Sequence, residues 1–450
     1  MASGPRPDVT GTAPNPLLAG LYGDAEVVAH LSPEAEIGAM IRFEAALARV
    51  EARLGIIPDE AGAAIDAVLG GLRIPAESLA AGTTAAGVPV PGLVKALRSA
   101  VGAPHGGYVH WGATSQDAMD TGLVLRLGPI LDILEQRLRR LVDLLAGEAR
   151  RHARLPMAGR TRSQIATPTT LGLRIAAWLA PLARCLDRLA ELRPRLLVVQ
   201  LGGASGNLSI LGAQGPAAME ALAAELGLAV PAKPWGTERD GLVELANWLA
   251  MVSGLLGRIG ADLIVMGRSE IAELAAGQGG GSSTMPQKAN PVAAETLITL
   301  ARIAAAQTGL MQAALIHTEE RDATAWAIEW AALPQLLTAT GAGVTHALSL
   351  AASLRPAPGR MQGAMATGGG AIEAEALAFA LARHVPLDEA QAIVKAAARR
   401  VAEAGGTLGE RLTELCHARG LPAPAPGSGD ATDAAAALVE RLLDALGRPG

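Results

Sequence analysis

The chain of 450 residues is half apolar and carries a formal net charge of −5. That much chain supports two or three domains with a large buried core, which excludes a small scaffold held by disulfides or metal. The negative balance removes any general attraction to phosphate backbones or anionic lipid, so the expected ligand is a small molecule, with neither nucleic acid nor a membrane as partner.

Alanine and leucine supply most of the apolar share, while Phe, Trp and Tyr together make 2%. Sheets draw on β-branched and aromatic residues, so this mixture predicts a nearly all-α fold. Met1 to Asn15 carry no basic stretch followed by an apolar one, and no window holds about 20 uninterrupted apolar residues, which predicts a cytoplasmic protein without a secretory signal. Cys185 and Cys416 have no metal-ligand spacing and read as two buried thiols in a reducing compartment.

Glu34 to Leu54 reads as the first long helix, with Ile37, Met40, Ile41, Phe43, Leu47 and Val50 near helical spacing and Gly55 and Pro58 to end it. Short helices and turns follow to about Pro104. From Asp117 to His152, Ile130, Leu134, Leu138, Leu141 and Leu145 form one apolar stripe, which Pro129 kinks without ending. Further long helices are expected over Pro168 to Leu197, Glu238 to Leu274, Pro291 to His317 and Thr324 to Leu354. Beyond Pro356 and Pro358 the patterns shorten, and the Pro-rich piece Leu421 to Gly427 precedes one last helix. The composition shifts divide the chain into domains at 1–105, 106–355 and 356–450. No repeat of fixed period is present. Five long helices with apolar residues on more than one face predict self-association.

Only four lysines occur, Lys95, Lys233, Lys288 and Lys395, so the one in a glycine-rich loop stands out. That loop, Gly277 to Pro291 (GQGGGSSTMPQKANP), fails as a nucleotide-binding P-loop because Lys288 is followed by Ala289. It reads either as a flexible connector ended by Asn290 as cap and Pro291 as first helical residue, or as chemistry. In the second reading the hydroxyls of Ser282 and Ser283, the Lys288 ammonium and the Asn290 amide move a proton and hold the resulting anion. His110 to Thr121 (HWGATSQDAMDT) opens the second long helix. Thr114 and Asp117 form a capping box there, and Thr114, Ser115 and the free N–H groups of that helix end suit a substrate carboxylate. The two roles are compatible. In Gly159 to Gly172 (GRTRSQIATPTTLG), Thr167 and Pro168 read as cap and first residue of the next helix. Trp235, Trp326 and Trp330 read as packing residues, and His152, His346, His384 and His417 as structural. Arg239 and Arg321, each followed by an aspartate, are either surface ion pairs or carboxylate anchors.

GSSTMPQKANP resembles the GSSxMPxKxNP signature of the fumarase, aspartase and adenylosuccinate lyase superfamily, and the other two segments resemble its remaining shared regions in order and separation. Adenylosuccinate lyases place a histidine after the threonine of the second region, where it protonates a departing amine. This chain has Arg162 there, and arginine cannot deliver a proton near neutral pH. It suits an anion that needs only charge compensation, such as a carboxylate closing a lactone. Tyr108 to Asp120, Gln200 to Gly206 (QLGGASG), Pro234 to Asp240 (PWGTERD) and Glu319 to Leu333 (EERDATAWAIEWAAL) resemble the 3-carboxy-cis,cis-muconate cycloisomerase branch. Gly236 departs from it, standing where that branch's PWHT pattern has histidine.

The resemblance implies a three-domain, all-α fold with a long central helix bundle shared between the subunits of a homotetramer. It implies a tricarboxylate substrate, interconverted with a carboxymuconolactone in aromatic degradation, and a reaction that needs no cofactor and no metal. By the same resemblance Ser282, Lys288 and Asn290 are catalytic, and His110, Thr114, Ser115, Arg162, Gln164, Ser283, Met285 and Arg321 bind substrate. The alternatives are another lyase of the superfamily, expelling an amine or purine nucleotide from a succinyl group, and an inactive binding homologue.

Overall fold

The computed structural model describes residues 15–281, 285, 288–424 and 432–447. Helix dominates, as the composition predicts. The first long helix, α1 (Pro33–Arg53), starts where Ser32 accepts a hydrogen bond from Ala35 N at 3.2 Å with proline in the first turn, and it has Glu34 and Glu36 at its positive end and Arg53 at its negative end. After it come α2 (Asp59–Leu69), α3 (Val90–Val101) and α4 (Ser115–Arg151), the last running unbroken through Pro129. A hairpin of β1 (Pro156–Thr161) and β2 (Gln164–Thr170) precedes α5 (Leu171–Leu196). Then follow α6 (Gly215–Leu226), α7 (Asp240–Met266), α8 (Val292–Ala313), α9 (Ala323–Ala351), α10 (Leu387–Ala404) and α11 (Leu408–His417). The last helix spans Asp433–Leu446.

The hairpin corrects one expectation. Thr167 and Pro168 do not begin a helix; they lie in β2, where Ala158 pairs with Pro168 and Met157 with Thr169. The reason is local: Ile165, Thr167, Thr169 and Thr170 are β-branched and fit a paired strand better than a helix. The helix start moves to Leu171, and the hydroxyl of Thr170 accepts from Leu173 N at 3.1 Å. By length and composition α7 could cross a bilayer, at 27 residues with a window of mean hydropathy 1.7, but half of that window is buried inside the molecule.

The chain forms two compact units. One comprises Met1–Leu138, Cys185–Gly257 and Thr296–Thr345, the other Arg139–Arg184, Arg258–Glu295 and His346–Gly450. In the first, Met40, Phe43, Leu47 and Val50 of α1 pack with Ile65 of α2, Leu93 and Leu97 of α3 and Leu222 of α6. Helices α1 and α2 approach so closely that a Cβ at Gly62 would stand 2.5 Å from the Ala52 side chain, so only glycine fits. In the second unit, Leu377 and Leu381 pack with Ile393 of α10 and Leu412 and Cys416 of α11. A complete capping box of Thr407 and Glu410 starts α11. Both cysteines are buried and neither is in a disulfide, as expected.

Two carboxyl groups interrupt the apolar face of α1. Glu44 is 2% exposed and Glu51 is fully buried, and neither oxygen of the Glu51 carboxyl has a hydrogen-bond partner among the described residues. Burial, with a smaller contribution from the nearby Glu44 charge, pushes the Glu51 carboxyl up to about 9. An acid whose folded pKa is raised holds its proton in the folded chain after the unfolded chain has lost it. The stability it permits is therefore complete below the ordinary glutamate range and lost as pH climbs to about 9. Glu51→Gln should flatten the decline in unfolding free energy between pH 5 and 9, measured by urea denaturation at stepped pH. An unchanged slope would contradict the assignment.

Candidate active site

In the first unit the site is built around the start of α4. Asp117, fully buried, accepts four hydrogen bonds: from Thr114 N at 3.0 Å, Gln200 Nε2 at 3.0 Å, Gly202 N at 2.8 Å and Gly203 N at 2.9 Å. Burial pushes its carboxyl up to about 6, with these hydrogen bonds pulling the other way. The aspartate half of the expected capping box is thus present, and the same carboxylate folds the 200–206 loop onto the helix end. Glycine is required in both chain segments that meet here. Gly112 has φ +66°, and Gly203 has φ +71° with a position for Cβ only 3.0 Å from the Gly112 carbonyl oxygen.

The Thr114 hydroxyl is engaged by Arg321, whose Nη2 lies 3.1 Å away while its Nε donates to Gln116 Oε1 at 3.1 Å and Nη2 also donates to Ala204 O at 3.2 Å. Arg321 therefore forms no surface ion pair among the described residues; it stands beside the helix N-terminus, with Thr114 and Ser115 partly exposed. A guanidinium next to free helical N–H groups is suited to a carboxylate. Gln116 in turn donates through Nε2 to the Gly236 carbonyl at 2.5 Å, and a Cβ at position 236 would come within 3.2 Å of Gln116 Oε1. The space a histidine would need at 236 is partly taken by this amide.

His110 sits just ahead of this helix end with φ +63°, a backbone conformation unusual for a residue with a side chain. Its Nδ1 lies 2.6 Å from Glu44 Oε1. Burial alone would lower the imidazole's pKa, but the Glu44 charge and hydrogen bond outweigh it and the net shift is upward.

Arg239 corrects both readings made of it. It is 1% exposed and neither a surface ion pair nor a free anchor. Nη1 and Nη2 meet Asp120 at 2.7 and 3.0 Å, Nε and Nη2 meet Glu329 at 2.7 and 2.6 Å, and Nη1 reaches the Gly236 carbonyl at 3.4 Å. Trp326 donates to the same Asp120 at 3.2 Å, and the guanidinium lies 4.9 Å from the centre of the Trp235 ring. Trp235 and Trp326 are packing residues, as expected, whose indole N–H groups donate to Val199 O at 3.0 Å and to Asp120; Trp330 stacks edge-on against Trp326 at 4.9 Å but stays 37% exposed.

In the second unit the hairpin carries Arg162 and Ser163 as the two residues between its strands, with φ +49° and +65°. Two-residue hairpins of the primed type require positive φ at both central positions, normally met by Gly or Asn. Holding arginine and serine there costs backbone strain of the kind found at functional sites. Arg162 is exposed and forms no ion pair among the described residues, and Gln164, paired with Thr161, is exposed beside it. Two residues back, Arg160 makes a bidentate pair with the buried Glu273 at 2.8 and 2.8 Å. Glu273 leads directly into the short strand Leu274–Ala275, which pairs with Arg355–Pro356.

The glycine-rich loop begins two residues further on, at Gly277. Gly277 N donates to Ser353 Oγ at 2.8 Å, and Gly277 O accepts from Arg355. Gly280 and Asn290 then close the loop's neck with two backbone bonds of 2.8 Å each. Asn290 is thus a bridge residue and not a helix cap; α8 starts at Val292, with Glu295 N bonded to Pro291 O at 2.9 Å. Lys288 is exposed and without an ion-pair partner among the described residues, and Met285 is 42% exposed. Ser282 and Ser283 lie outside the described residues.

A family model described as a lyase matches residues 24–305, more than half of the chain. The chain belongs to this lyase family. Relatives within it include the 3-carboxy-cis,cis-muconate cycloisomerase of Pseudomonas aeruginosa, 44% identical with 86% of each chain covered. The enzyme of that name from Pseudomonas putida is 41% identical, covering 82% of this chain and 89% of the relative. The crystal structure of the 3-carboxy-cis,cis-muconate lactonizing enzyme from Pseudomonas putida superposes with a TM-score of 0.87 at 36% identity, covering 96% of this chain and 99% of the other. The all-α expectation is met by this likeness.

Several polar residues of this lyase-family chain escaped the motif reading: Glu44 behind His110, Gln116 beside Gly236, and the Arg160–Glu273 pair. Glu44 was detectable, since it falls four residues after Met40 and three before Leu47 on an otherwise apolar stripe. Gln116 and Glu273 carry no local signal. Asp117→Asn keeps the side chain's shape, loses one acceptor and aims an NH₂ at backbone N–H groups. It should cost on the order of 1–3 kcal/mol and lower kcat/KM by about tenfold or more as the 200–206 loop loosens. Urea unfolding and steady-state kinetics measure both, and a wild-type profile in each would refute Asp117's role.

Proposed function

We propose that this chain is a cycloisomerase interconverting 3-carboxy-cis,cis-muconate and a carboxymuconolactone. The substrate's own carboxylate oxygen bonds to the alkene carbon, and the π electrons move into the neighbouring carboxylate to give an aci-carboxylate. A proton then goes to the carbon between them. Arg162, Arg321 and the Thr114–Ser115 helix end hold carboxylates, aided by His110, Gln164, Ser283 and Met285. Lys288 and Asn290 neutralise the aci-carboxylate, and Ser282 carries the proton. At an effective dielectric near 20, one unit charge about 4 Å away contributes about 4 kcal/mol, or roughly a thousandfold in rate.

The observation that carries this reading is Arg162: an exposed cation in a strained turn, without an ion-pair partner among the described residues, at the position where an amine-expelling lyase would need an acid. It can compensate a carboxylate and cannot protonate a leaving nitrogen. The names of the Pseudomonas relatives support the same substrate. The enzyme acts in the cytoplasm as a homotetramer with shared active sites, a reading supported by large apolar side chains exposed on the long helices, Met251, Leu310 and Trp330 among them. The three-domain division at about residues 105 and 356 belongs to the same reading.

Incubation with 3-carboxy-cis,cis-muconate should abolish the conjugated-diene absorbance and yield a lactone identifiable by NMR. Ser282→Ala should remove turnover while substrate binding stays measurable, and Lys288→Met should lower kcat by about a thousandfold. Consumption of adenylosuccinate with the diene left intact would instead place the chain among the amine-releasing lyases, and most turnover surviving in Ser282→Ala would refute the serine's role.

A further inference from the structure

The apolar stripe of α1 turns one carboxylate toward the histidine ahead of α4. Glu44 has a fully buried side chain and contacts His110 Nδ1 through Oε1 at 2.6 Å, the His110 side chain being 14% exposed. Its second oxygen, Oε2, is buried without a hydrogen-bond partner, so the His110 contact is the one hydrogen bond this carboxylate makes among the described residues. A buried carboxylate with a single donor holds that donor firmly, because losing it would leave the charge uncompensated. His110 is confined from the other side by its left-handed backbone at φ +63°.

We propose that Glu44 is a positioning residue for His110: it takes the hydrogen bond from Nδ1–H, fixes the ring's orientation and keeps the imidazole charged, so that Nε2–H is a permanent donor to a substrate carboxylate. The inference rests on the reading of His110 as a substrate-binding residue. Neutral histidine offers one donor whose position depends on the tautomer, whereas a ring pinned through Nδ1 offers Nε2–H only as the imidazolium. The groups that face His110 are Glu44 from α1, Asp117 from α4 and Arg98 from α3; the two carboxylates favour the charged ring and Arg98 opposes it. Glu51, two turns further along α1 and held neutral by burial, places no second full charge beside Glu44 near neutral pH. The folded chain therefore stabilises protonated His110 up to a pH above the ordinary histidine range.

The test is an NMR titration of the intact protein labelled at histidine Cε1, with His110→Gln assigning the resonance. Wild-type His110 should titrate above the ordinary value of about 6.5, and Glu44→Gln should lower its midpoint by about one pH unit or more. Glu44→Asp, which keeps the charge on a shorter arm, should restore part of the shift. In kinetics, Glu44→Gln should reduce kcat/KM by about tenfold at pH 8 and much less at pH 6, where the ring is protonated without help. A purely structural glutamate would lower activity equally at both. An unmoved midpoint in Glu44→Gln, or a pH-independent loss, overturns the proposal. Should Glu44→Gln fail to fold, the wild-type titration decides: a midpoint at or below about 6.5 overturns it. The titration needs no substrate, so failure of wild type to consume 3-carboxy-cis,cis-muconate would sink the functional reading and leave the Glu44–His110 pairing standing.

Discussion

A guanidinium sealed from water must have its five donors occupied or the chain does not fold around it, and Arg239 meets this with Asp120, Glu329 and the Gly236 carbonyl. Those partners come from the second turn of α4, the interior of α9 and the turn before α7. One buried charge thereby fixes three segments of the first unit at a single point. Asp117, less than a turn before Asp120, does the same for the 200–206 loop. The helix end that faces solvent, with Thr114, Ser115 and Arg321, is rigid because the residues just beneath it are committed to these bonds. Two burdened acids on the inner face leave the outer face free for a ligand's carboxylate.

Fold class and the long helices were readable because alanine–leucine periodicity is a local property; the observed bounds of α1 and α4 fall within one or two residues of the predicted ones. The hairpin was not, since Thr167–Pro168 fits the start of a helix equally well until strand pairing with Met157 and Ala158 decides. The same limit explains Arg239. An Arg-Asp pair at a helix start looks solvent-facing in one dimension, and its burial depends on carboxylates 119 residues before it and 90 after it. Long-range pairing has no sequence signature. Glu44 and Glu51 did have one, as acids within an apolar stripe, and a reading that followed only the apolar members of that stripe passed over them.

Within the second unit, Arg160 and Arg162 divide their work by two residues of strand. The inward one is spent on Glu273 and ties the hairpin to the root of the glycine-rich loop; the outward one, in the turn itself, has no ion-pair partner among the described residues. Strand alternation makes this division possible, because residues two apart share a face only while the strand continues, and the turn at Arg162–Ser163 ends it. The loop is anchored at both ends, by Ser353 and Arg355 at Gly277 and by the Gly280–Asn290 bridge at its neck. Motion of its described ends is thereby restricted.

The Gln116 amide beside Gly236 has an evolutionary corollary. With the amide 3.2 Å from where a Cβ would stand and bonded to both the Gly236 carbonyl and Arg321, a bulkier residue at 236 would displace Gln116 and slacken Arg321 at once. A chain that gains a side chain at 236 must therefore re-seat the Gln116 amide, and its bond to Arg321 with it.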